Sequence, residues 1–215
     1  MKKHTLVITA LLSCLLGSGC VTGRRTVDLP VSQLPGTGAS KGSLYLGSIE
    51  DQRAFQNKPS DPSTPSIDGD VTKCTKDQLA AMIGRQRNGY GKALGDISLG
   101  ADDSVIKRTR ALIEEGLKRR GYTIASDPSS AGTATVAINE FWAWFTPGLW
   151  TVAFEAHVVC DITVTQNGAA KKLTVKGYGR NQGQVASDAN WQLAYKRAFD
   201  DFLVNLNTAL GNAGL

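Results

Sequence analysis

Apolar and polar residues alternate along the middle of the chain and predict a run of β-strands. Between 150 and 165, apolar side chains occupy every second position, and polar ones fill most of the places between them. This period is typical of a strand that packs one face on a core and exposes the other face to water. We predict neighbouring strands over 133–145 and 171–181, with Asn167-Gly168 as a tight hairpin turn before the last strand.

Helical spacing of apolar residues predicts two longer helices, one ending at residue 120 and one over 188–210. Asp102 or Asp103 is expected to cap the first of them. An apolar run at 44–49 predicts the first strand. Together these elements predict an α+β domain. Its antiparallel sheet follows the order strand, helix, three-strand meander, helix, and two helices pack on one face.

The first nineteen residues have the three-part layout of a secretory signal. Lys2 and Lys3 give a positive start, 5–16 is an apolar run, and 17–19 supplies small residues. The apolar run is too short to cross a bilayer core of about 30 Å as a helix. We therefore predict a signal peptide over 1–19.

Cys20 follows these small residues, and here the segment resembles a bacterial lipoprotein signal. In such signals the cysteine thiol takes a diacylglycerol, and the cysteine becomes the new N-terminus. The resemblance implies lipidation of Cys20, so that membrane lipid is a partner through the acyl anchor. Gly17 stands where these signals prefer an aliphatic residue, which leaves lipidation of Cys14 and no lipidation as alternatives. By the sorting rule of such lipoproteins, Val21 implies the periplasmic face of the outer membrane.

The predicted organisation after the signal is a tether and one folded unit. Residues 20–41 contain prolines and glycines, and we predict a flexible tether that holds the domain tens of ångströms from the bilayer. Residues 42–211 are predicted to form a single periplasmic α+β domain. A chain of 215 residues that is 41% hydrophobic and 20% charged suits one globular unit. Within it, 54–82 is rich in Pro, Ser and Asp and is predicted to be a long loop.

Charge and residue content argue against several classes of function. The formal net charge of +5 includes the two signal lysines, and so mild a balance does not indicate nucleic-acid binding. His157 is the one histidine after the signal and lies on the polar face of its strand, where a solvated residue is more usual than a catalytic base. The sequence has no C-x-x-C motif, phosphate loop or metal-ligand cluster. We expect no catalytic residue, no metal and no cofactor.

Cys74 and Cys160 are the thiols that remain if Cys20 is acylated. In an oxidising periplasm they could form a disulfide. The alternative is that Cys160, which lies among apolar residues, is a small buried hydrophobic residue. Asp51 and Arg53, at the end of the first strand, could likewise form an ion pair at the sheet edge or line a ligand site.

Five short motifs lie along the predicted domain. They are IEDQR at 49–53, IG at 83–84, NGYG at 88–91, RRGY at 119–122 and VTQNG at 164–168. With the lipoprotein-type start, they resemble the YajG-like family of bacterial outer-membrane lipoproteins over about 44–210. This family has no established enzymatic role, so the resemblance implies no catalytic residue. The loop at 54–82 is longer than the family's usual loop and receives no role from it.

The segment 141–150 places five aromatic residues around a Pro-Gly turn. An exposed aromatic patch marks a binding surface, so we predict that a partner binds here. The predicted partner-binding residues are Trp142, Trp144, Phe145, Leu149 and Trp150. The alternative is that the two helices or the loop at 54–82 cover them.

These features predict a lipid-anchored, non-enzymatic binding or scaffold lipoprotein of the bacterial cell envelope, whose partner is an envelope protein. One alternative is a carrier that holds an apolar ligand, a lipid, between the sheet and the helices. A third hypothesis is an enzyme that uses carboxylates alone, for which Glu50, Asp51 and Glu140 are the candidate acids.

Overall fold

The computed structural model describes residues 23–33, 39–88, 92–130, 132–148 and 151–215, and these form eight β-strands and three α-helices. The strands are β1 (Arg25–Thr26), β2 (Gly42–Asp51), β3 (Met82–Arg87), β4 (Ala93–Ser98), β5 (Tyr122–Ala125), β6 (Gly132–Pro147), β7 (Val152–Gln166) and β8 (Ala169–Gly183). The helices are α1 (Lys76–Ala81), α2 (Val105–Arg120) and α3 (Asp188–Asn212).

The two predicted long helices are present as α2 and α3, with different caps. The side chain of Ser104, rather than Asp102 or Asp103, accepts a hydrogen bond from the Lys107 amide at the start of α2. Gly121 ends α2 in a left-handed conformation, with a φ of 102°. Such a φ favours glycine, because it has no Cβ to clash with the backbone.

The predicted antiparallel sheet is wrong, because four of the seven pairings between the described strands are parallel. The sheet is mixed and follows the order β1-β4-β3-β6-β2-β5, and β7 and β8 extend it from β6. β6 is the central strand. β7 runs antiparallel along one of its edges, while β2 and β3 both lie parallel along the other.

The main core lies between one face of this sheet and helices α2 and α3. Phe141 of β6 stacks on Tyr195 of α3 with ring centroids 5.2 Å apart. Phe154 of β7 meets Trp191 edge to face at 5.1 Å. The third helix, α1, packs instead against a second apolar cluster through Leu79. The predicted arrangement of two helices on one face of the sheet is therefore incomplete, because α1 packs on the other face.

The folded unit begins well before residue 42, the predicted domain start. The Gly23 amide donates to the Leu94 carbonyl, and β1 then pairs with β4. Val27 and Leu29 are both buried in the main core. The predicted flexible tether is thus folded onto the domain over 23–31, because its apolar residues complete the core beside α2 and α3.

Helix α3 lies in direct contact with the backbone of β8, and two glycines make this approach possible. A Cβ at Gly177 would overlap the carbonyl oxygen of Ala198. A Cβ at Gly179 would overlap the Ala194 carbonyl oxygen and the Ala198 amide. Because these atoms belong to the backbone of α3, a side chain at either position would require the helix and the strand to move apart.

We expect the Gly179→Ala substitution to lower the free energy of unfolding by about 3 kcal/mol, the upper end of the cost of overpacking a core. Urea denaturation followed by circular dichroism measures this. Gly47→Ala on β2 is the matched control, because the nearest atom to a Cβ there is 3.5 Å away. Equal stability of the two variants would contradict the close contact between α3 and β8.

Candidate functional site

The aromatic segment of β6 is buried on both faces of the sheet. Phe141 and Phe145 point into the main core, and Phe145 is 7% exposed. Trp142 and Trp144 point to the opposite face, yet they are only 1% and 8% exposed. The low exposure of both tryptophans shows that another segment of the chain covers this opposite face.

The loop that follows β2 covers the two tryptophans. The Nε1 of Trp142 donates to the Pro62 carbonyl at 3.2 Å, and the Phe55 ring meets the indole edge to face at 5.8 Å. We call this second core the outer cluster. It contains Ile67, Met82, Trp142 and Trp144, with Phe55, Val71, Cys74 and Leu79 packed against it.

The predicted exposed aromatic surface is therefore wrong at Trp142, Trp144 and Phe145, and the alternative describes the structure: the loop covers the two tryptophans and helix α3 covers Phe145. Both faces of β6 are buried in apolar cores, because the helices pack on one side of the strand and the loop packs on the other. Leu149 and Trp150 lie outside the described residues, as does Cys20.

Two arginines of β3 hold the covering loop against the sheet. Arg87 donates to the Pro59 carbonyl at 2.6 Å and to the Ser66 hydroxyl at 3.1 Å. Arg85 donates to the Ile67 carbonyl and pairs with Asp68 at 3.2 Å. Because these acceptors belong to the loop, the two arginines bind it to the sheet.

Asp51 and Arg53 form the ion pair that the sequence suggested, with a fully buried guanidinium and a carboxylate that is 16% exposed. The Nε and one terminal nitrogen of Arg53 each donate to an Asp51 carboxylate oxygen at 2.8 Å. The other donors reach backbone carbonyls. These are Met82 at 2.6 Å, Leu79 at 2.8 Å and Phe141 at 2.9 Å. All five N–H groups of this 0% exposed side chain have acceptors, so it has no donor left for a ligand.

The three candidate acids of the enzyme hypothesis have separate partners. Asp51 is held by Arg53, and Glu50 accepts from Gln52 at 3.3 Å. Glu140 lies 3.3 Å from the Nδ1 of His157. No two of them share a hydrogen-bonding group as an acid and base pair would, and this arrangement does not support the hypothesis.

The structure contains no disulfide between Cys74 and Cys160; both thiols are free. Cys160 is buried in the main core, while Cys74 packs on the outer cluster across the sheet. The sheet itself separates the two sulfurs. Burial, and then the charge of Asp161, raise the pKa of the Cys160 thiol to about 12, so this thiol is unreactive at neutral pH.

The outward side of β7 and β8, beyond the covering loop, carries an aromatic row. His157 meets Trp144 edge to face at 4.9 Å on one side and Tyr178 at 5.1 Å on the other. Tyr178 is 44% exposed, and its hydroxyl donates to Glu155 at 3.2 Å. Partial burial and the charge of Glu155 raise the pKa of Tyr178 above its usual value, so it stays a neutral donor. We call the surface formed by Glu140, Glu155, His157 and Tyr178 the open face.

The free edge of β8 is partly blocked by α3. Asp201 accepts from the Tyr178 amide at 2.9 Å, and Asn205 donates to the Lys176 carbonyl at 2.9 Å. Arg197 donates to the Arg180 carbonyl. An incoming strand would have to displace these side chains, so a partner has better access to the open face than to this edge.

The carrier alternative requires a cavity between the sheet and the helices. There the backbones of β8 and α3 are in contact at Gly177 and Gly179, and the side chains of Phe154, Trp191 and Phe202 are fully buried. A cleft of about 360 Å³ between Leu29 and Phe199 opens at the surface instead. This packing does not support an enclosed lipid site.

Over the described ranges, no three His, Cys, Asp or Glu side chains come close enough together to hold a metal ion. Among those same residues, no helix combines the length and the apolar character needed to cross a membrane.

Comparison with known proteins gives structural neighbours but no family. No family model and no curated protein matches this chain. Protein XCC0632 from Xanthomonas campestris, of the DUF330 family, is 10% identical with a TM-score of 0.41, and the match covers 91% of this chain and 98% of that one. The hypothetical protein CT253 from Chlamydia trachomatis is 8% identical with a TM-score of 0.35, covering 80% and 98%.

A further neighbour is an uncharacterized protein, 11% identical with a TM-score of 0.37, for which the match covers 90% of this chain and 96% of that one. Likeness at this level carries no inference about function. The resemblance to the YajG-like family is not confirmed by it.

Sequence reasoning missed the open face, although one signal could have found it. The Asn167-Gly168 turn fixes the register of β7 against β8 and places His157 opposite Tyr178. The covering loop gave no comparable signal, because it depends on contacts between distant parts of the chain.

We expect Arg53→Met to lower the free energy of unfolding by about 3–5 kcal/mol, because it leaves Asp51 charged and unpaired beside three carbonyls. Arg110→Met is the control, since Arg110 also donates to two carbonyls, at 3.0 and 2.9 Å, but is 41% exposed. Its cost should stay below about 1 kcal/mol. Comparable urea midpoints for the two variants would contradict the stabilising role of the buried Arg53 side chain.

Proposed function

We propose that this protein is a lipid-anchored, non-enzymatic binding or scaffold protein of the bacterial cell envelope, at the periplasmic face of the outer membrane. Acylation of Cys20 attaches it to membrane lipid, as the lipoprotein-type start and the resemblance to the YajG-like family imply. Its folded domain then binds an envelope protein. The open face is the surface that performs this binding.

The observation that supports the binding role is a pair of accessible rings on the sheet, since Tyr178 is 44% exposed and the His157 side chain is 38% exposed. Tyr178 is exposed although neighbouring aromatic residues of the same face lie under a loop. Tyrosine is enriched at protein interfaces, because it combines apolar area with a hydrogen-bonding group at little cost in conformational entropy. Glu155 and Glu140 hold the rings of Tyr178 and His157 in place.

The charges around the row favour a protein partner with mixed charge. Lys176 and Arg180 flank Tyr178 at alternate positions of β8 and are exposed. Glu155 and Asp161 lie on the outward side of β7. Neighbouring charges of both signs suit complementary ion pairs at an interface rim, which add specificity more than affinity.

We expect Cys20→Ser to abolish labelling of the protein by radioactive palmitate and to release it from the membrane fraction, because the thiol that accepts the lipid is gone. Cys14→Ser is the matched control and should leave both unchanged. Labelling that survives Cys20→Ser but is lost with Cys14→Ser would move the anchor to the alternative site. Labelling of neither variant nor wild type would overturn the lipid anchor.

We expect the double substitution His157→Ala and Tyr178→Ala to reduce protein crosslinks formed in intact cells severalfold, because it removes the exposed rings of the open face. Val204→Ala is the control, since Val204 is an apolar residue that is 64% exposed but lies on α3. Thermal unfolding of the purified variants checks that the fold is kept. Unchanged crosslinks in a folded double variant would contradict binding at the open face.

A further inference from the structure

The N-terminal chain enters the domain at one end of the sheet. Gly23 is bonded to Leu94, and β1 then runs inward, parallel to β4. On β4, the register places Ala93 beside Arg87, the last residue of β3. The segment that precedes Gly23 therefore leaves the domain at the end of the sheet where β3 stops.

The ends of several strands lie together here. β3 and β6 run in the same direction, so Arg87 at the end of β3 lies at the end of the sheet where β6 stops at Pro147. Pro147 pairs with Val152, and Val152 pairs with Gly183 at the end of β8. The connection from β8 to α3 thus starts at the same level. We call this the loop end, and its exposed described residues include Arg24, Lys92, Pro147, Gly148 and Val185.

The chain between Cys20 and the domain is very short. Gly23 is three residues from Cys20 and is already bonded to β4. Three residues span at most about 11 Å when fully extended. A lipid on Cys20 therefore cannot hold the domain tens of ångströms from the bilayer, as the predicted tether would.

We propose that the loop end rests on the phospholipid bilayer, so that the anchored domain has a fixed orientation. This inference rests on the proposed acylation of Cys20. The bilayer is the occupant of this surface because the chain length beyond Gly23 leaves no room for a protein between them.

The exposed residues of the loop end suit a lipid headgroup region. Val185 is 67% exposed, which gives an apolar side chain at the interface. Arg24 is 62% exposed, with Asp96 as a distant partner at 3.8 Å, and Lys92 is exposed. Cations at this depth are attracted by anionic headgroups. Arg25, in contrast, is held by Asp188 and the Ala186 carbonyl and is part of the fold.

The opposite end of the sheet gives an internal reference. The β7–β8 turn lies next to Thr133, at the start of β6. From Thr133 to Pro147, a strand of fifteen residues extends over roughly 45 Å. A probe at Ala169, which is exposed beside this turn, would stand far above the bilayer.

The test measures the distance of single fluorescent labels from the membrane. Lys92→Cys, Val185→Cys and Ala169→Cys are each made in a Cys74→Ala background, in which Cys20 is acylated and Cys160 is buried. The full-length acylated proteins are reconstituted into vesicles of phosphatidylethanolamine and phosphatidylglycerol that carry nitroxide headgroups. We expect labels at Lys92 and Val185 to be quenched severalfold more strongly than the label at Ala169.

A second variant tests the tether itself. A long Gly/Ser insertion between Val21 and Thr22 should reduce the quenching at Lys92 while palmitate labelling persists. Quenching that survives the insertion unchanged would overturn the role of the short tether. Equal quenching of all three labels in a palmitate-labelled protein would overturn the orientation alone, whereas absence of palmitate would overturn the proposed anchor and this inference together.

Discussion

A single buried guanidinium joins the two parallel segments of this sheet. β6 is longer than β2 and β3, which lie end to end along one of its edges. Arg53 fills the junction and donates to carbonyls of β6, β3 and α1, while Asp51 neutralises it. Only arginine has five donors in a planar fork, and lysine could not satisfy the same acceptors. In an extended chain, residues two apart point the same way, which lets Asp51 meet Arg53 side by side.

The same junction explains why aromatic residues are concentrated in the second half of β6. Beyond it, β6 has β3 on one edge, and the loop between β2 and β3 must return across the outward face. The tryptophans of β6 give that loop an apolar base, and Arg85 and Arg87 bind its carbonyls. Burying two like charges is costly unless each has acceptors. Here the partners are the loop carbonyls of Pro59 and Ile67 together with the side chains of Ser66, Asp68 and Asp96. Where the loop ends, the sheet is left uncovered, and the open face begins at His157.

Local patterns in the sequence predicted the elements but not their arrangement. The alternation over 150–165 and the turn at Asn167-Gly168 correspond to β7 and β8, because both signals depend on neighbouring residues. The parallel pairing of β2 and β3 with β6 brings Arg53 to the Phe141 carbonyl, 88 positions away, and no local pattern encodes a contact of that length. Two tryptophans on a strand give the same sequence pattern whether a loop buries them or water surrounds them. The alternation places Cys160 on the core face of its strand, as the structure has it, but no local pattern shows on which side of the sheet the loop carries Cys74.

The position of the N-terminus and that of the open face are compatible with one another. The long strands β6, β7 and β8 extend between the loop end and the β7–β8 turn, so in a domain that rests on its loop end these strands point away from the membrane. The plane of the sheet is then roughly parallel to the membrane normal, and the open face points sideways. Helix α3 covers the other face of β8 and part of its edge. In the proposed arrangement, the lipid and the protein partner contact different surfaces. A surface that lies perpendicular to a bilayer is accessible to proteins that diffuse laterally in or on that bilayer. Such a partner could therefore contact Tyr178 and His157 without displacing the anchor.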